Sequence, residues 1–399
     1  MASICIYFQV HQPHRLRWFW PGDQLHGFDR YFDNSANKEI FNKVANKCYW
    51  PTNNIILELI DRYKDFKVSF SITGTLLNQC EKWDPDLLET FKQMANSGQI
   101  EFLDETYYHS LASLFEDKTE FKEQILQHRD SMRSLFGYTP KVFRNTELLY
   151  NNSIAKIAEE LGYKAILTEG IERVLEWRSP NFVYKAKNSN IRVLMRNYRL
   201  SDDIGYRFSA RWWEEYPLTA EKWATWASGV EGEVLNIFMD YETFGEHQWP
   251  DTGIFQFLRA FPEKVLERRL SFITPSEAVQ KYNPVAEIDV GDFSTISWAD
   301  IERDTSAWLG NDMQRRCFEE IKLLKPYVKK TQDQELINIW KTLQTSDHYY
   351  YMCTKWMADG DVHSYFSVHA SPYDAAINFM AIVMDFKEKV FEKLKEVRS

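Results

Sequence analysis

Apolar, strand-like segments alternate with amphipathic, helix-like segments over roughly the first 285 residues. Strands are predicted at residues 3–10, 66–72, 100–103, 142–143, 165–168, 191–196 and 234–239, with helices such as 53–64, 84–96 and 153–161 between them. Because neighbouring parallel strands need a crossover connection, usually a helix, this alternation predicts an α/β fold with a largely parallel sheet.

The character of the chain changes after about residue 285. Amphipathic helices are predicted at residues 300–329, 333–351 and 375–397, joined by turn-rich stretches such as 358–361. We therefore expect a barrel over residues 1–285 followed by a C-terminal helical domain over residues 286–399.

Charge and cysteine usage exclude several classes of protein. Lys plus Arg number 48 against 58 for Asp plus Glu, a net charge of −10 without a basic block, which argues against nucleic-acid binding. No apolar run reaches the length of a membrane span, and no signal sequence is recognised, so we expect a cytoplasmic protein. The five cysteines are widely spaced and are expected to be buried, reduced thiols, neither disulfide-bonded nor gathered on zinc.

Aromatic residues make up 16% of the chain and cluster near Trp20, Trp212 and Tyr351. Flat rings with polar edges suit the apolar faces and hydroxyl rims of sugars, which makes Trp20 and Tyr351 candidates for substrate binding. Ordinary core packing explains the aromatic content at least as well, because each ring buries a large apolar area.

Polar side chains follow several of the predicted strands. His11 follows the first strand, Glu105 and His109 follow the third, Glu147 follows the fourth, and Asp240 follows the strand at 234–239. Barrel enzymes build their sites from the loops at the carboxyl ends of parallel strands. These residues are therefore expected to converge.

The segment 238–249 places Asp240, Glu242, Glu246 and His247 directly after an apolar strand. On extended backbone, Asp240 and Glu242 point to the same side, and two neighbouring carboxylates raise one pKa, so that one side chain stays an acid near neutral pH. A solvated acidic loop, with Glu242 paired to an arginine, explains the segment equally well.

Glu147 lies a few residues after a short strand and close to Arg144. A carboxylate here can act as a nucleophile if the arginine keeps its pKa low. Read alone, the segment favours a simple surface pair of Arg144 and Glu147. His11 and His14 could bind metal, contact a ligand or satisfy buried carbonyl groups, and their spacing is weak support for metal.

Five segments, taken in order, resemble the five signature regions of glycoside hydrolase family 57: residues 11–13, 74–79, 147–150, 239–245 and 343–348. The resemblance extends over about residues 5–355. Residues 239–247 are most similar to the α-amylase branch of the family. Arg144, Asn145 and Thr146 depart from the pattern, because many members carry a Trp and a Pro before the glutamate.

The resemblance implies an incomplete (β/α)7 barrel followed by a C-terminal helical domain, acting on α-glucans with retention of anomeric configuration. It places the catalytic nucleophile on Glu147 and the general acid/base on Asp240, and it implies that Asp347 reaches the site from the helical domain. Together with the aromatic residues, the substrate-binding candidates are His11, Gln12, Trp20, His109, Glu242, Asp347 and Tyr351.

The predicted function is cleavage of α-glucosidic linkages through a covalent glycosyl-enzyme, on an α-glucan or maltooligosaccharide, without metal or cofactor. A 4-α-glucanotransferase or branching enzyme using the same site is the nearest alternative. A metal-dependent polysaccharide deacetylase or α-mannosidase, with ligands His11, His14, Asp240 and His247, is a second. A non-catalytic glucan-binding protein is a third, and the oligomeric state is left open.

Overall fold

The computed structural model describes residues 2–396. Its strands are β1 (Ser3–Val10), β2 (Val68–Ile72), β3 (Ile100–Phe102), β4 (Val142–Arg144), β5 (Ala165–Glu169), β6 (Tyr184–Ala186), β7 (Arg192–Arg196), β8 (Val234–Asp240), β9 (Ser271–Phe272) and β10 (Glu287–Ile288). All seven predicted strands are present. The sequence reading missed β6, β9 and β10, because strands of two or three residues are too short to show a period.

The α-helices are α1 (Asn34–Val44), α2 (Trp50–Arg62), α3 (Gly74–Trp83), α4 (Pro85–Ala95), α5 (Thr119–Phe136), α6 (Asn152–Glu160), α7 (Glu172–Leu175), α8 (Tyr198–Gly205), α9 (Ala220–Ser228), α10 (Ile254–Glu267), α11 (Pro275–Lys281), α12 (Ser306–Leu309), α13 (Asp312–Thr331), α14 (Gln334–Thr342), α15 (Ser346–Tyr350), α16 (Met357–Phe366) and α17 (Pro372–Glu396). A π-helical turn, Ala45–Tyr49, joins α1 to α2. Short 3-10 helices lie at Gly27–Arg30, Ala112–Leu114, Thr146–Leu148, Tyr241–Thr243, Pro250–Thr252 and Asp292–Ser294.

The described strands form two sheets of five strands each. In the first, the order is β3-β2-β1-β8, with β9 also pairing with β1. In the second, the order is β10-β6-β7-β5-β4, and only the β6–β7 pair is antiparallel. The predicted parallel α/β fold is thus present, and the strands that precede the candidate residues run in the same direction.

The two sheets meet along two seams. At one seam, Asp104, just past β3, forms a parallel bridge with Phe143 of β4. At the other, the Asn236 side chain donates to the Met195 carbonyl at 2.9 Å, and Arg196 Nε donates to the Phe238 carbonyl at 2.8 Å. These contacts bring the carboxyl ends of β1, β3, β4 and β8 to the same side of the fold.

The C-terminal helices differ from the predicted ones at four places, one of them a break at residues 310–311 between α12 and α13. Residues 300–305 are not helical, and Asp300 and Arg303 have positive φ angles of 56° and 50°. The predicted helix 333–351 is broken between α14 and α15, because the Thr345 segment forms a bridge with Ser110 instead of continuing the helix. Residues 358–361, expected to form a turn, belong to α16.

The helical region has its own hydrophobic core, in which α13 packs against α17. Side chains from an N-terminal loop, including Phe19 and Phe32, complete this core. The loop after β1 therefore crosses to the helices before the chain returns to the sheets. All five cysteines are buried and free, as predicted, and none of the helices between residues 2 and 396 is long and apolar enough to span a membrane.

Candidate active site

Glu147 lies immediately after β4 on strained backbone. Its φ angle is 55° and that of Leu148 is 53°, a left-handed conformation that residues other than glycine seldom adopt. Strain of this kind persists only where the surrounding structure maintains it, and it concentrates at functional sites. The turn directs the Glu147 carboxylate toward the loops that follow β3 and toward the start of the helical region.

Three side chains contact the Glu147 carboxylate: His109, Trp298 and, at 3.5 Å, the Ser346 hydroxyl. His109 Nε2 lies 3.1 Å from Glu147 Oε1, and Trp298 Nε1 donates to Oε2 at 2.6 Å. Burial by itself raises the pKa of Glu147, but the hydrogen bond from His109 and the positive charges of His109 and Arg144, together with the Trp298 hydrogen bond, lower it overall. Glu147 is therefore ionised near neutral pH.

Asp240 is the last residue of β8, and its pKa is shifted in the opposite direction to that of Glu147. Burial and the nearby negative charge of Glu147 raise the pKa of Asp240 to about 6. The sequence reading attributed such a shift to Glu242. The structure shows instead that the carboxylate with the largest charge effect on Asp240 is Glu147, contributed by another strand.

Arg144 is fully buried, so the alternative of a surface pair with Glu147 is wrong. Its guanidinium lies 4.8 Å from the ring centre of Trp298 and 5.9 Å from that of Tyr7, both within reach of a cation–π interaction. Within the described chain, the Arg144 guanidinium makes no hydrogen bond. It acts on both catalytic candidates through its charge, lowering the pKa of Glu147 and opposing the rise at Asp240.

His109 connects Glu147 to a buried acid. Its Nδ1 lies 3.0 Å from Glu105 Oε2, and Glu105 in turn accepts a hydrogen bond from Gln9 at 2.9 Å. Burial alone lowers the pKa of His109, but the hydrogen bonds to Glu105 and Glu147 raise it to about 9. His109 is thus a cation that donates to two carboxylates, and it is much closer to the centre of the site than the loose resemblance implied.

His11 stacks on His109, with ring centres 4.1 Å apart. Its Nε2 lies 2.9 Å from Asp347 Oδ2, and its Nδ1 lies 3.0 Å from the Thr73 hydroxyl. Burial alone raises the pKa of Asp347, but the neighbouring His11 and its hydrogen bond lower it overall. Asp347 of the helical region therefore lies beside His11, and its contact with sugar stays a prediction.

Glu242 is buried beside His11 and does not pair with an arginine in a solvated loop. It accepts a hydrogen bond from the Tyr49 hydroxyl, and the His11 backbone N–H lies 3.4 Å from the same oxygen. Burial and the charge of Asp240 raise the pKa of Glu242 to about 8. Glu246 turns away from this group, pairing with Lys43 at 3.3 Å.

The remaining predicted substrate contacts lie in different surroundings. Trp20 is 65% exposed, whereas Tyr351 is only 4% exposed. Gln12 is buried and accepts a hydrogen bond from Arg15 at 3.0 Å. Only Trp20 offers an open ring face, and sugar contact by Tyr351 and Gln12 stays a prediction.

Trp298 is the residue at this site that sequence reasoning missed. Besides the side-chain hydrogen bond, its backbone N–H donates to the Glu147 carbonyl at 3.3 Å. It lies outside every segment with a recognisable pattern, and the aromatic excess is the one sequence signal that could have pointed to it. The chain must fold before residue 298 meets residue 147.

The four residues considered as metal ligands point to different neighbours. His14 packs edge-on against Phe28, and His247 packs against Phe366. His11 pairs with Asp347. Among the described residues, no candidate metal group includes two of the four.

Two carboxyl groups with opposite pKa shifts, at the carboxyl ends of parallel strands, form the arrangement with which glycoside hydrolases work. The sequence profile described as Glycosyl hydrolase family 57 matches residues 5–291. The chain belongs to glycosyl hydrolase family 57.

Individual relatives agree with this assignment. A protein of Methanocaldococcus jannaschii that carries an alpha-amylase name is 50% identical over 400 residues, covering 98% of this chain and 85% of the relative. A family 57 branching enzyme from Thermococcus kodakaraensis has a similar structure, with a TM-score of 0.72 at 14% identity, covering 96% of this chain and 89% of that one. A 4-alpha-glucanotransferase from Thermococcus litoralis aligns with a TM-score of 0.60 at 18% identity, covering 88% and 51%. The two structural neighbours show a shared fold.

Proposed function

We propose that this protein is a retaining, α-amylase-like glycoside hydrolase that cleaves α-glucosidic linkages in an α-glucan or maltooligosaccharide. Glu147 is the nucleophile and Asp240 the general acid/base. The observation that carries the proposal is that the two pKa values shift in opposite directions: the pKa of Glu147 is lowered and that of Asp240 is raised to about 6. A retaining mechanism needs one ionised carboxylate and one protonated carboxyl group at the same bond.

The reaction then has two steps. Asp240 protonates the glycosidic oxygen while Glu147 attacks the anomeric carbon, which breaks the bond to the leaving sugar and forms a covalent glycosyl-enzyme. Asp240, now ionised, takes a proton from the incoming water as its oxygen displaces Glu147. We expect the two carboxyl groups to lie about 5–5.5 Å apart in a glucan complex, too close for a water between them.

His109 and Trp298 support the first step by donating to opposite oxygens of Glu147. These donors keep the carboxylate ionised and fix its orientation before substrate binds. His11, Glu242 and Asp347 form the adjacent wall, which we propose contacts the sugar next to the scissile bond.

The proposed architecture is an incomplete (β/α)7 barrel over residues 1–285 and a helical domain over 286–399. In support, side chains from both sheets share one apolar cluster, including Tyr7, Leu167, Leu194 and Phe238. Because alternate residues of each strand face this cluster, it has the character of a filled barrel interior. The helices of the second domain begin at Ser306, and β10 still pairs with the sheet.

The molecule that accepts the glycosyl group in the second step distinguishes a hydrolase from a glucanotransferase or a branching enzyme, because the same two carboxyl groups serve all three activities. The curated relative carries an alpha-amylase name, whereas the two structural neighbours carry branching and glucanotransferase names. The relative at 50% identity favours hydrolysis. A deacetylase-like or mannosidase-like enzyme would need its metal ligands gathered at one point, and among the described residues no such group includes two of the four candidate ligands. A pure binding protein has no chemical need for both carboxyl groups.

Product analysis tests the proposal. Maltooligosaccharides, amylose and pullulan are incubated with the protein, and the products and the anomer first released are followed by chromatography and NMR. We expect shorter α-anomeric oligosaccharides from α-1,4 chains. Products longer than the substrate would establish transfer in place of hydrolysis, and a β-anomer as first product would overturn the retaining mechanism.

We also propose a cytoplasmic location, on the charge and hydropathy of the chain.

A further inference from the structure

A second cluster of chemistry-bearing side chains lies in the helical region, outside the groups that hold Glu147 and Asp240. Asp300, Cys353 and His363 each offer a ligand atom, and these atoms lie within 4.8 Å of one another. The Cys353 and His363 residues are 2% and 3% exposed, and the Asp300 side chain is 4% exposed. The sequence shows no metal-binding spacing here because Asp300 and Cys353 are 53 positions apart.

The histidine is oriented as a metal ligand. Its Nδ1 lies 3.0 Å from the Tyr350 carbonyl, to which it can only donate, and the Tyr350 ring stacks on the imidazole at 3.6 Å between centres. This donation turns Nε2 toward Asp300, where in the metal-free protein it lies 3.1 Å from Oδ2 and donates to the carboxylate. A metal ion takes the place of that Nε2 proton. Metal-binding histidines almost always donate the other ring N–H to a carbonyl or carboxylate in this way.

The spacing of the His363 and Asp300 ligand atoms fits a tetrahedral ion. His363 Nε2 lies 3.2 Å from Asp300 Oδ1. Zinc–nitrogen and zinc–oxygen bonds of about 2.0–2.2 Å at a tetrahedral angle put the two ligand atoms about 3.4 Å apart. The other oxygen of Asp300 accepts from Lys355 at 2.7 Å, so this lysine can remain as an outer hydrogen-bond donor to a ligating carboxylate.

The charges around the cluster favour a cation. Asp300, Glu302 and Asp359 form a second group whose carboxylate oxygens also lie within 4.8 Å of one another. Among the side chains of these two groups, Lys355 pairs with Asp300 and Glu302, so one ammonium faces three carboxylates. With His363 neutral and Cys353 a thiolate, as ligation requires, three carboxylates and one thiolate face one ammonium, and a divalent ion offsets part of this net negative charge.

We propose that Asp300, Cys353 and His363 bind one zinc ion, with water in the fourth position. A mixed sulfur, nitrogen and oxygen set selects zinc over magnesium or calcium, which prefer oxygen ligands alone. Binding displaces the thiol proton of Cys353 and the Nε2 proton of His363, and both protons go to solvent. The ion ties α16 to the loop that carries Trp298.

The test uses the full-length protein, stripped of metal by a chelator and titrated with cobalt(II) as a spectroscopic probe of zinc sites. We expect one equivalent to produce a sulfur-to-cobalt charge-transfer band and the visible bands of a tetrahedral site, and zinc to displace both. Cys353→Ser should remove the charge-transfer band, and His363→Asn should weaken binding at least about tenfold. Cys317→Ser, at another buried thiol of the same region, is the matched control and should bind like the parent.

Two results would overturn the proposal: no charge-transfer band in the parent protein, or a band that persists in Cys353→Ser. Circular dichroism shows whether each variant folds. If Cys353→Ser does not fold, the parent spectrum and His363→Asn decide. Glu147→Gln should bind cobalt like the parent, so failure of the metal site and failure of the proposed catalysis are separate results.

Discussion

His11 Nε2 and Asp347 Oδ2 lie 2.9 Å apart although 336 positions separate them in the sequence. His11 follows β1, and Asp347 is in α15 of the helical region. Because His11 also stacks on His109, which reaches Glu147, this pair links the helices to the proposed nucleophile through two rings. The site is thus shared between the sheets and the C-terminal region.

Asp347→Asn should lower kcat/KM by roughly tenfold to a hundredfold, because a hydrogen bond to a charged partner contributes about 1.5–3 kcal/mol. The amide keeps the shape of the carboxyl group but removes the charge that faces His11. Steady-state kinetics on maltooligosaccharides measure the effect. Asp61→Asn, at an exposed helix position, is the control. Equal activity in both variants would show that the His11–Asp347 pair takes no part in the reaction.

Glu147→Gln should reduce turnover at least about a thousandfold with little change in melting temperature, because the amide has nearly the same size but cannot form the glycosyl-enzyme. Turnover and thermal unfolding are measured on the same preparation. Glu160→Gln, at a surface pair with Lys122, should retain parental turnover. Ordinary activity in the Glu147 variant would exclude this residue as nucleophile.

Asp240→Asn should impair cleavage of maltooligosaccharides far more than cleavage of aryl α-glucosides with good leaving groups, since only the poor leaving group needs a proton. The ratio of kcat/KM on the two substrates is the measurement. An equal loss on both would argue that Asp240 is not the acid.

The value of kcat/KM should decrease as the pH rises through about 6. Asp240 must be protonated for the first step, and with a pKa of about 6 its protonated fraction decreases as pH rises through that value. Glu147 must be ionised, and its lowered pKa places the acid limb below the usual glutamate value of 4.5. In Asp240→Asn the alkaline limb should disappear, and its persistence would assign that titration to another group.

Trp298→Phe should lower kcat roughly tenfold to a hundredfold and move the acid limb to higher pH, because Glu147 loses a hydrogen-bond donor to its ionised form while most of the ring remains. Trp308→Phe is a matched control: Trp308 is also buried, and its indole N–H has no hydrogen-bond partner in the described chain. A loss of kcat with an unmoved acid limb would mean that Trp298 acts through packing alone.

The local pattern of apolar and polar residues was enough to predict the main strands and the polar residues that follow them. Runs of apolar residues, in part with a period of two, predicted β1, β2 and β8. Residues such as His11 and Asp240 were located because parallel strands place their carboxyl ends together. The ordered motifs then indicated the family, which the comparisons confirm.

Tertiary structure decided which groups interact. Asp240 and Glu242 are close in sequence, yet the largest charge effect on Asp240 comes from Glu147, because the strand that supplies it is brought across the fold. Trp298 and the break before α15 depend on contacts between distant segments, with Glu147 and with Ser110 respectively. Sequence periodicity shows which residues of one segment face the core and which face solvent. It carries no information on which remote segment forms a hydrogen bond with that segment, or stabilises a strained backbone such as that of Glu147.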